Sequence, residues 1–194
     1  SFQAGTHLDE SDQIHFFKGG RFESVFLLQP PTGPASWVTT GASTLSDRAS
    51  KVVAPGGGCF VQRAIVPTAT VRLFGQVRAH DFRVTLEPNY TLVSSGFPIV
   101  STPSSLDFMA AHGFVADTEP TYADQIQYWL GDRVPGSDGY DSYFLLHSTT
   151  FYWTGVEDLT LSDRSANLWL GGDRAFFLNL QRSNITTHRI RKPW

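Results

Sequence analysis

Three carboxylates lie close together in one stretch of this 194-residue chain, at Asp132, Asp138 and Asp141. Carboxylate oxygens are hard ligands of the kind that Ca²⁺ accepts. Their spacing fits no EF-hand loop, and the intervening Gly, Ser and Pro are residues from which turns are commonly built. An exposed hairpin loop is therefore the favoured interpretation, with a Ca²⁺ site as the alternative and no other cofactor indicated.

Two further groups of carboxylates resemble the paired acids of a hydrolase. They are Asp9, Glu10 and Asp12, and then Asp117, Glu119 and Asp124. Because the grouping recurs, a structural role is favoured, such as an Asp at the turn before each strand. A glycan-acting hydrolase would need two carboxylates facing each other at roughly 5 to 10 Å, and the sequence nominates no particular pair.

The sequence carries none of the other common catalytic signatures. The six His residues show no metal-ligand spacing, no Ser lies in a G-x-S-x-G motif, and the glycine-rich run at 54–58 lacks the Lys of a phosphate-binding loop. The lone Cys59 lies in a predicted strand and is interpreted as a small buried residue. No catalytic residue is predicted, and the chain is not expected to be an enzyme.

Aromatic residues provide the remaining functional signal, at 13% of the chain. Planar aromatic faces stack on sugars and anchor protein interfaces. Four of them lack an equally bulky equivalent elsewhere in the chain and are the candidates for an interface or a ligand contact: Trp129, Tyr140, Trp169 and Trp194.

Charge and hydropathy disfavour several classes of partner. The net charge of −3 and a pI near 6.0 provide no basic field for nucleic acid. There is no 18-residue apolar run, so no membrane span is predicted. A single Cys excludes an internal disulfide.

An internal duplication organises the chain. The tetrapeptide Leu45-Ser46-Asp47-Arg48 recurs as Leu161-Ser162-Asp163-Arg164. Other matches occur in the same order and need only small gaps: Asp12-Gln13-Ile14 with Asp124-Gln125-Ile126, Ser24–Leu28 with Ser142–Leu146, Trp37 with Trp153, and Gly56–Val61 with Gly172–Phe177. The last match, at a separation of 116, aligns Cys59 with Ala175. Such ordered self-similarity predicts a repeated structural unit.

The two copies differ in extent. Residues 75–113 have no counterpart before the first copy, because Ser1 falls almost at the matched position. We expect a truncated first repeat over residues 1–74 and a complete second repeat over residues 75–194. A unit that lacks part of its sheet leaves an open edge or an apolar face that something must cover.

Both repeats are predicted to be built from short strands. Twelve segments rich in Val, Phe, Tyr and Ile are bounded by turn residues, including one at Thr70–Arg78. This is typical of an all-β antiparallel sandwich or barrel. One short helix is predicted near residues 104–112, with Thr102 as the cap, Pro103 in the first turn and Gly113 as the terminator.

Several of these segments carry a family resemblance. The stretch from Leu86 to Pro98, the Asp124-Gln125-Ile126 strand, Trp153 and the Gly172–Phe177 strand resemble exported proteins of the Verrucomicrobia and Planctomycetes type. Those proteins are built from duplicated β units, and the family offers no catalytic residues to carry over. The resemblance implies export, and the start at Ser1 favours processing after export.

These observations predict an extracellular or cell-surface structural protein that self-assembles into an oligomer or a filament. The incomplete first repeat would supply intersubunit strand or aromatic contacts. Two alternatives stay open, a carbohydrate-binding module that uses exposed Trp and Tyr and a glycan-acting hydrolase. Triplets at Asn89 and Asn184 match the N-glycosylation pattern without deciding whether it is used.

Overall fold

The computed structural model describes residues 2–42, 46–64, 79–129, 139–170 and 175–192, and the prediction of an all-β fold is confirmed. Three short 3-10 helices lie at Leu8–Glu10, Ala110–His112 and Pro120–Tyr122. The strands are β1 Gln13–Lys18, β2 Arg21–Leu28, β3 Ser36–Thr39, β4 Cys59–Gln62, β5 Phe82–Leu86, β6 Asn89–Ser94, β7 Gln125–Trp129, β8 Tyr140–His147, β9 Phe151–Gly155, β10 Ala175–Leu180 and β11 Thr186–Ile190.

The chain divides into two compact units. The first comprises the described residues of Ser1–Ala54 and Cys59–Gln76, and the second those of Pro55–Gly58 and Val77–Trp194. The first unit contains one antiparallel sheet in the order β3-β2-β1-β4. The second contains a five-stranded sheet, β6-β10-β7-β8-β9, and a two-stranded sheet, β11-β5.

The duplication is visible in the strand order. Strands β4-β1-β2-β3 of the first unit correspond to β10-β7-β8-β9 of the second. Matched backbone hydrogen bonds accompany this order. The N–H of Arg48 donates to the carbonyl of Trp37 at 2.7 Å, and the N–H of Arg164 donates to the carbonyl of Trp153 at 2.7 Å. The repeated Ser-Asp-Arg residues, 46–48 and 162–164, therefore form the same corner twice.

Strand pairing corrects the sequence alignment of one strand. Phe60 lies opposite His15, and Phe177 lies opposite Gln127, the residue that matches His15. Phe60 therefore corresponds to Phe177, at a separation of 117, and Cys59 corresponds to Phe176, so that the alignment of Cys59 with Ala175 is wrong by one residue. A one-residue slip matters because it moves every side chain of a strand to the opposite face.

A buried carboxylate anchors each repeat. Asp12 is fully buried, accepts the backbone N–H groups of Gln3 at 2.7 Å and Ala64 at 3.0 Å, and pairs with Arg63 at 3.1 Å. Asp124 is also fully buried and has the corresponding contacts with Val115, Gln181 and Arg182. These two residues of the recurring carboxylate groups hold loops to strands, as their recurrence suggested.

The segment predicted as a short helix is mostly a series of turns. Only Ala110–His112 is helical, as a three-residue 3-10 turn that ends at Gly113 with φ +89°. Asp107 has a φ of +58°, outside the right-handed helical region, which interrupts any helix between Pro103 and Met109. The core residues Leu106 and Phe108 are placed by these turns.

Eleven of the twelve predicted strands fall within described residues, and each overlaps an observed strand. The predicted strand at Thr70–Arg78 lies outside the described residues. In the part of the chain that the structure describes, no helix has the length and apolar character needed to cross a membrane.

Candidate interaction surface

One side of the first unit's sheet carries a group of apolar side chains. Directly opposite residues of an antiparallel pair project to the same side of the sheet. Ile14 lies opposite Val61, and Leu27 lies opposite Trp37. Ile14 also lies opposite Val25, two residues before Leu27 on the same strand, so all these side chains share one side. We call the set Ile14, Leu27, Trp37 and Val61 the first-unit face.

The second unit has the same set at matched positions. The registers place Ile126 opposite Leu178 and Leu145 opposite Trp153. All four side chains are completely buried. They belong to the large core of the second unit, so this side of the repeated sheet is suited to packing against another apolar layer.

Burial separates the two copies. In the first unit Ile14, Leu27 and Trp37 are only half-buried, and Val61 is 41% exposed. The contrast is largest in the corner that follows the Leu-Ser-Asp-Arg segment, where Val52 is 84% exposed and its counterpart Leu168 is 8% exposed. Val25 lies on the same side of the first unit's sheet and is buried, so the first unit leaves accessible part of a surface that the second unit buries.

A second layer accounts for the difference. In the second unit the matched face packs in one cluster with Phe82, Val84 and Leu86 of β5, with Ile190 of β11, and with Phe97, Leu106 and Phe108. All of these except Ile190 come from residues 75–113, the stretch with no counterpart before the first copy. Among the described residues of the first unit, only Val25 and Val38 are buried apolar side chains.

The two matched Trp residues show what the second layer provides. The indole N–H of Trp153 donates to the backbone carbonyl of Phe108 at 2.5 Å. Trp37 meets the ring of Phe2 edge-on, with centroids 5.2 Å apart. Among the described residues the Trp37 indole N–H has no carbonyl acceptor of this kind.

Charged and polar side chains border the first-unit face. Lys51 forms an ion pair with Glu23 at 2.5 Å and lies over the Phe16 ring at 4.5 Å. The hydrogen bond from Lys51 lowers the pKa of Glu23. Cys59 is half-buried beside the face, and burial raises the pKa of its thiol, so the thiolate is disfavoured there.

Two of the four aromatic candidates contact each other. Trp129 and Tyr140 form an edge-to-face pair with centroids 4.8 Å apart and an interplanar angle of 61°. The pair has a counterpart in Phe17 and Phe22, at 5.0 Å and 70°, whose rings are less bulky than those of Trp129 and Tyr140. Trp169 is 71% exposed, and Trp194 lies outside the described residues.

The candidate metal ligands are only partly described. Asp132 and Asp138 lie outside the described residues. Asp141 lines a cavity of about 480 Å³ together with Tyr140, Glu157, Asp158, Arg164 and Asn167. Within the described ranges, no group of three or more His, Cys, Asp or Glu side chains is arranged to hold a metal ion.

That cavity also has a counterpart in the first unit. There, a cavity of about 810 Å³ is lined by Lys18, Arg21, Glu23 and Ser24. Ser24 matches Ser142 and Glu23 matches Asp141, so both cavities lie at the same margin of the repeated sheet. The two cavities lie at matched positions but differ in volume and in the charged side chains that line them.

Comparisons of the chain with protein-family models, with curated proteins and with solved structures find no match. The resemblance to exported β-repeat proteins therefore stays a prediction.

Proposed function

We propose that this chain is an extracellular structural protein that self-assembles through the first-unit face. The observation that supports the proposal is the unequal burial of matched residues: Trp153 is fully buried, while Trp37 is half-buried in an equivalent sheet. Large apolar surfaces that stay accessible on a folded protein commonly mark interaction sites. The extracellular setting follows from the resemblance to exported proteins.

The energetics require a partner that covers the whole face. Full burial of one Val, Leu or Ile side chain contributes roughly 1.5–3 kcal/mol. Association must first overcome about 4–15 kcal/mol of lost translational and rotational freedom. Several side chains must therefore be covered together. The counterparts of Val52, Val61 and Trp37 are buried in one cluster of the second unit, so a single covering surface can reach all three positions.

A filament follows if the partner surface is a different part of a second copy. A contact between two unlike surfaces is heterologous, and it propagates into an open assembly unless rotation closes it into a ring. A contact between two copies of the first-unit face would stop at a dimer. We favour the heterologous arrangement, because the second unit covers its matched face with a non-identical layer.

The proposal is tested by measuring the assembly state of the purified 194-residue chain. Light scattering coupled to size-exclusion chromatography over a hundredfold concentration range should show a mass that rises with concentration. Negative-stain electron microscopy at the highest concentration should show elongated particles. A monodisperse monomer throughout the range contradicts self-assembly.

Polysaccharide binding is the second candidate function. It is favoured by Trp169, whose side chain is 71% exposed and available for stacking on a sugar ring. The Trp129 and Tyr140 rings are inclined to each other at 61°, so they form no flat platform of their own. Retention on insoluble polysaccharides that is abolished by Trp169→Ala would support this function, and passage of the unmodified chain without retention would exclude it for those polymers.

A further inference from the structure

We propose that the first-unit face receives an extended polypeptide segment of a second molecule, with large apolar side chains at alternate positions and a backbone carbonyl that accepts the Trp37 indole N–H. The inference rests on the proposed function, since it concerns the same face, and it names the chemical class of the partner. The first-unit face forms the binding surface. The partner supplies the covering layer that is absent from the described residues of the first unit.

The second unit provides the template for the partner. Strand β5 alternates between buried and exposed side chains, with Phe82, Val84 and Leu86 buried and Arg83 and Thr85 exposed. Its three buried side chains pack in the same cluster as the matched face. Alternation with a period of two is what one strand needs to cover a sheet on one side and meet solvent on the other.

The face itself is closely matched between the units. Ile14, Leu27 and Trp37 have the same residue types as their counterparts Ile126, Leu145 and Trp153. Two neighbouring positions are smaller in the first unit, with Val61 in place of Leu178 and Cys59 in place of Phe176. A side chain at least as large as those of β5 therefore fits over this end of the face.

The indole nitrogen identifies the partner as a polypeptide. In the second unit the acceptor for Trp153 is the backbone carbonyl of Phe108, supplied by the covering layer at 2.5 Å. A buried indole N–H requires such an acceptor, since burial without one costs about 1–3 kcal/mol. A segment that brings both apolar side chains and peptide carbonyls satisfies the two requirements together, which acyl chains cannot do.

The test uses the full chain labelled with ¹⁵N and a synthetic peptide with the sequence of residues 79–110. This peptide contains β5 and the Phe108 carbonyl. Saturable binding should shift the Trp37 indole resonance and leave that of the buried Trp153 in place. A control peptide with Phe82, Val84 and Leu86 replaced by Ser should bind at least tenfold more weakly.

A variant of the acceptor completes the experiment. Val52 lies in the corner beside the first-unit face, and its counterpart Leu168 packs in the same cluster as the matched face of the second unit. Val52→Asp therefore places a charge at the border of the face, at an 84%-exposed position where the fold tolerates it. We expect its affinity for the peptide to fall at least tenfold. Failure of the unmodified chain to bind the peptide at millimolar concentration overturns the inference, and so does equal binding of the control peptide or of Val52→Asp.

The outcomes for the inference and for the proposed function are separable. A chain that binds the peptide but stays monomeric supports a segment acceptor whose partner is another protein, and it contradicts self-assembly. A chain that assembles but does not bind the peptide supports self-assembly. That result overturns the inference that the face receives an extended segment of this kind. Each result therefore assigns its failure to one proposal only.

Discussion

One contact is retained in both repeats although the residue that makes it differs in position. Phe2 and Phe114 are matched, and each has an Arg guanidinium stacked over its ring, Arg63 at 5.8 Å and Arg182 at 5.3 Å. The two Arg residues do not occupy equivalent positions, since Arg63 precedes and Arg182 follows the residue whose N–H binds the buried Asp. The contact is retained in both units although the residue that makes it has changed place.

Removing the buried carboxylate of the second unit should destabilise it strongly. Asp124→Ala deprives Arg182 of its partner at 3.1 Å and leaves the N–H groups of Val115 and Gln181 without their acceptor. Breaking a buried ion pair on one side costs about 3–5 kcal/mol. Urea unfolding measures the loss. Asp9→Ala, at an exposed position, is the control and should change the free energy of unfolding by less than about 0.5 kcal/mol. A similar small effect of both substitutions would contradict the structural role.

His188 should make the stability depend on pH. Its ring is buried against Phe108 and Phe114 and hydrogen-bonds the Leu106 carbonyl at 2.8 Å. Burial lowers the pKa of His188 below the ordinary value of 6.5, while the Leu106 carbonyl and Asp107 act in the opposite direction. At His188 the unfolded chain therefore binds more protons than the folded chain below about pH 6.5, so the contribution of this residue to the free energy of unfolding falls as the pH falls through this range.

Substitution of His188 isolates this contribution. In His188→Gln the side chain no longer titrates, so the free energy of unfolding should depend less steeply on pH between 7 and 5 than in the unmodified chain. Urea unfolding at a series of pH values provides the comparison. Equal slopes for the two proteins would show that His188 is not responsible.

At the scale of elements, the position of the strands follows from the sequence and their exact register does not. Short runs such as Phe82–Leu86 alternate apolar and polar residues, and that pattern locates a strand. The alignment of β4 with β10 depends on which residues face one another, and Phe60 matches Phe177 only once the pairing with β1 and β7 is known. Local pattern carries no information about that pairing.

The turns around residues 102–113 show a second limit of local pattern. Thr102, Pro103 and Gly113 are the correct signals for the two ends of a helix. The chain between them instead places Leu106 and Phe108 in the core, with Asp107 at positive φ. Tertiary packing has overridden helix propensity, which is a weak preference over so few residues.

Substitutions at two glycines distinguish the cost of backbone strain from the cost of steric overlap in the core. Gly96 and Gly113 both have positive φ, at +70° and +89°, so Ala at either position costs about 1–2 kcal/mol. A Cβ at Gly113 meets nothing within 4 Å, whereas one at Gly96 overlaps the core ring of Phe82. Gly96→Ala should therefore cost roughly 1–3 kcal/mol more than Gly113→Ala. Thermal or urea unfolding measures the loss in the free energy of unfolding for each variant. Equal losses would show that the Phe82 ring moves aside freely.

At the scale of the whole molecule, the sequence predicts that the two repeats differ in extent, but it does not predict which surface differs between them. The stretch at 75–113 is unmatched within the 194 residues, which predicts that the two repeats are covered differently. Only the structure shows that much of this stretch, together with β11, forms the second layer over one side of the second unit's sheet. The sequence singled out Trp129, Tyr140, Trp169 and Trp194, whereas Val52 and Val61 carry the clearest exposure difference and give no signal by residue type.

Adjacent residues of β4 provide a matched test of assembly through this surface. Val61 lies on the first-unit face, and Gln62 projects to the opposite side of the same strand; both are exposed. Val61→Asp should shift the assembly midpoint to at least tenfold higher protein concentration, because an unpaired carboxylate is costly to bury in an apolar contact. Gln62→Asp adds the same charge on the other side and should assemble like the unmodified chain. Sedimentation velocity across a concentration series measures both. Equal weakening by the two substitutions would show that net charge, and not the first-unit face, controls association.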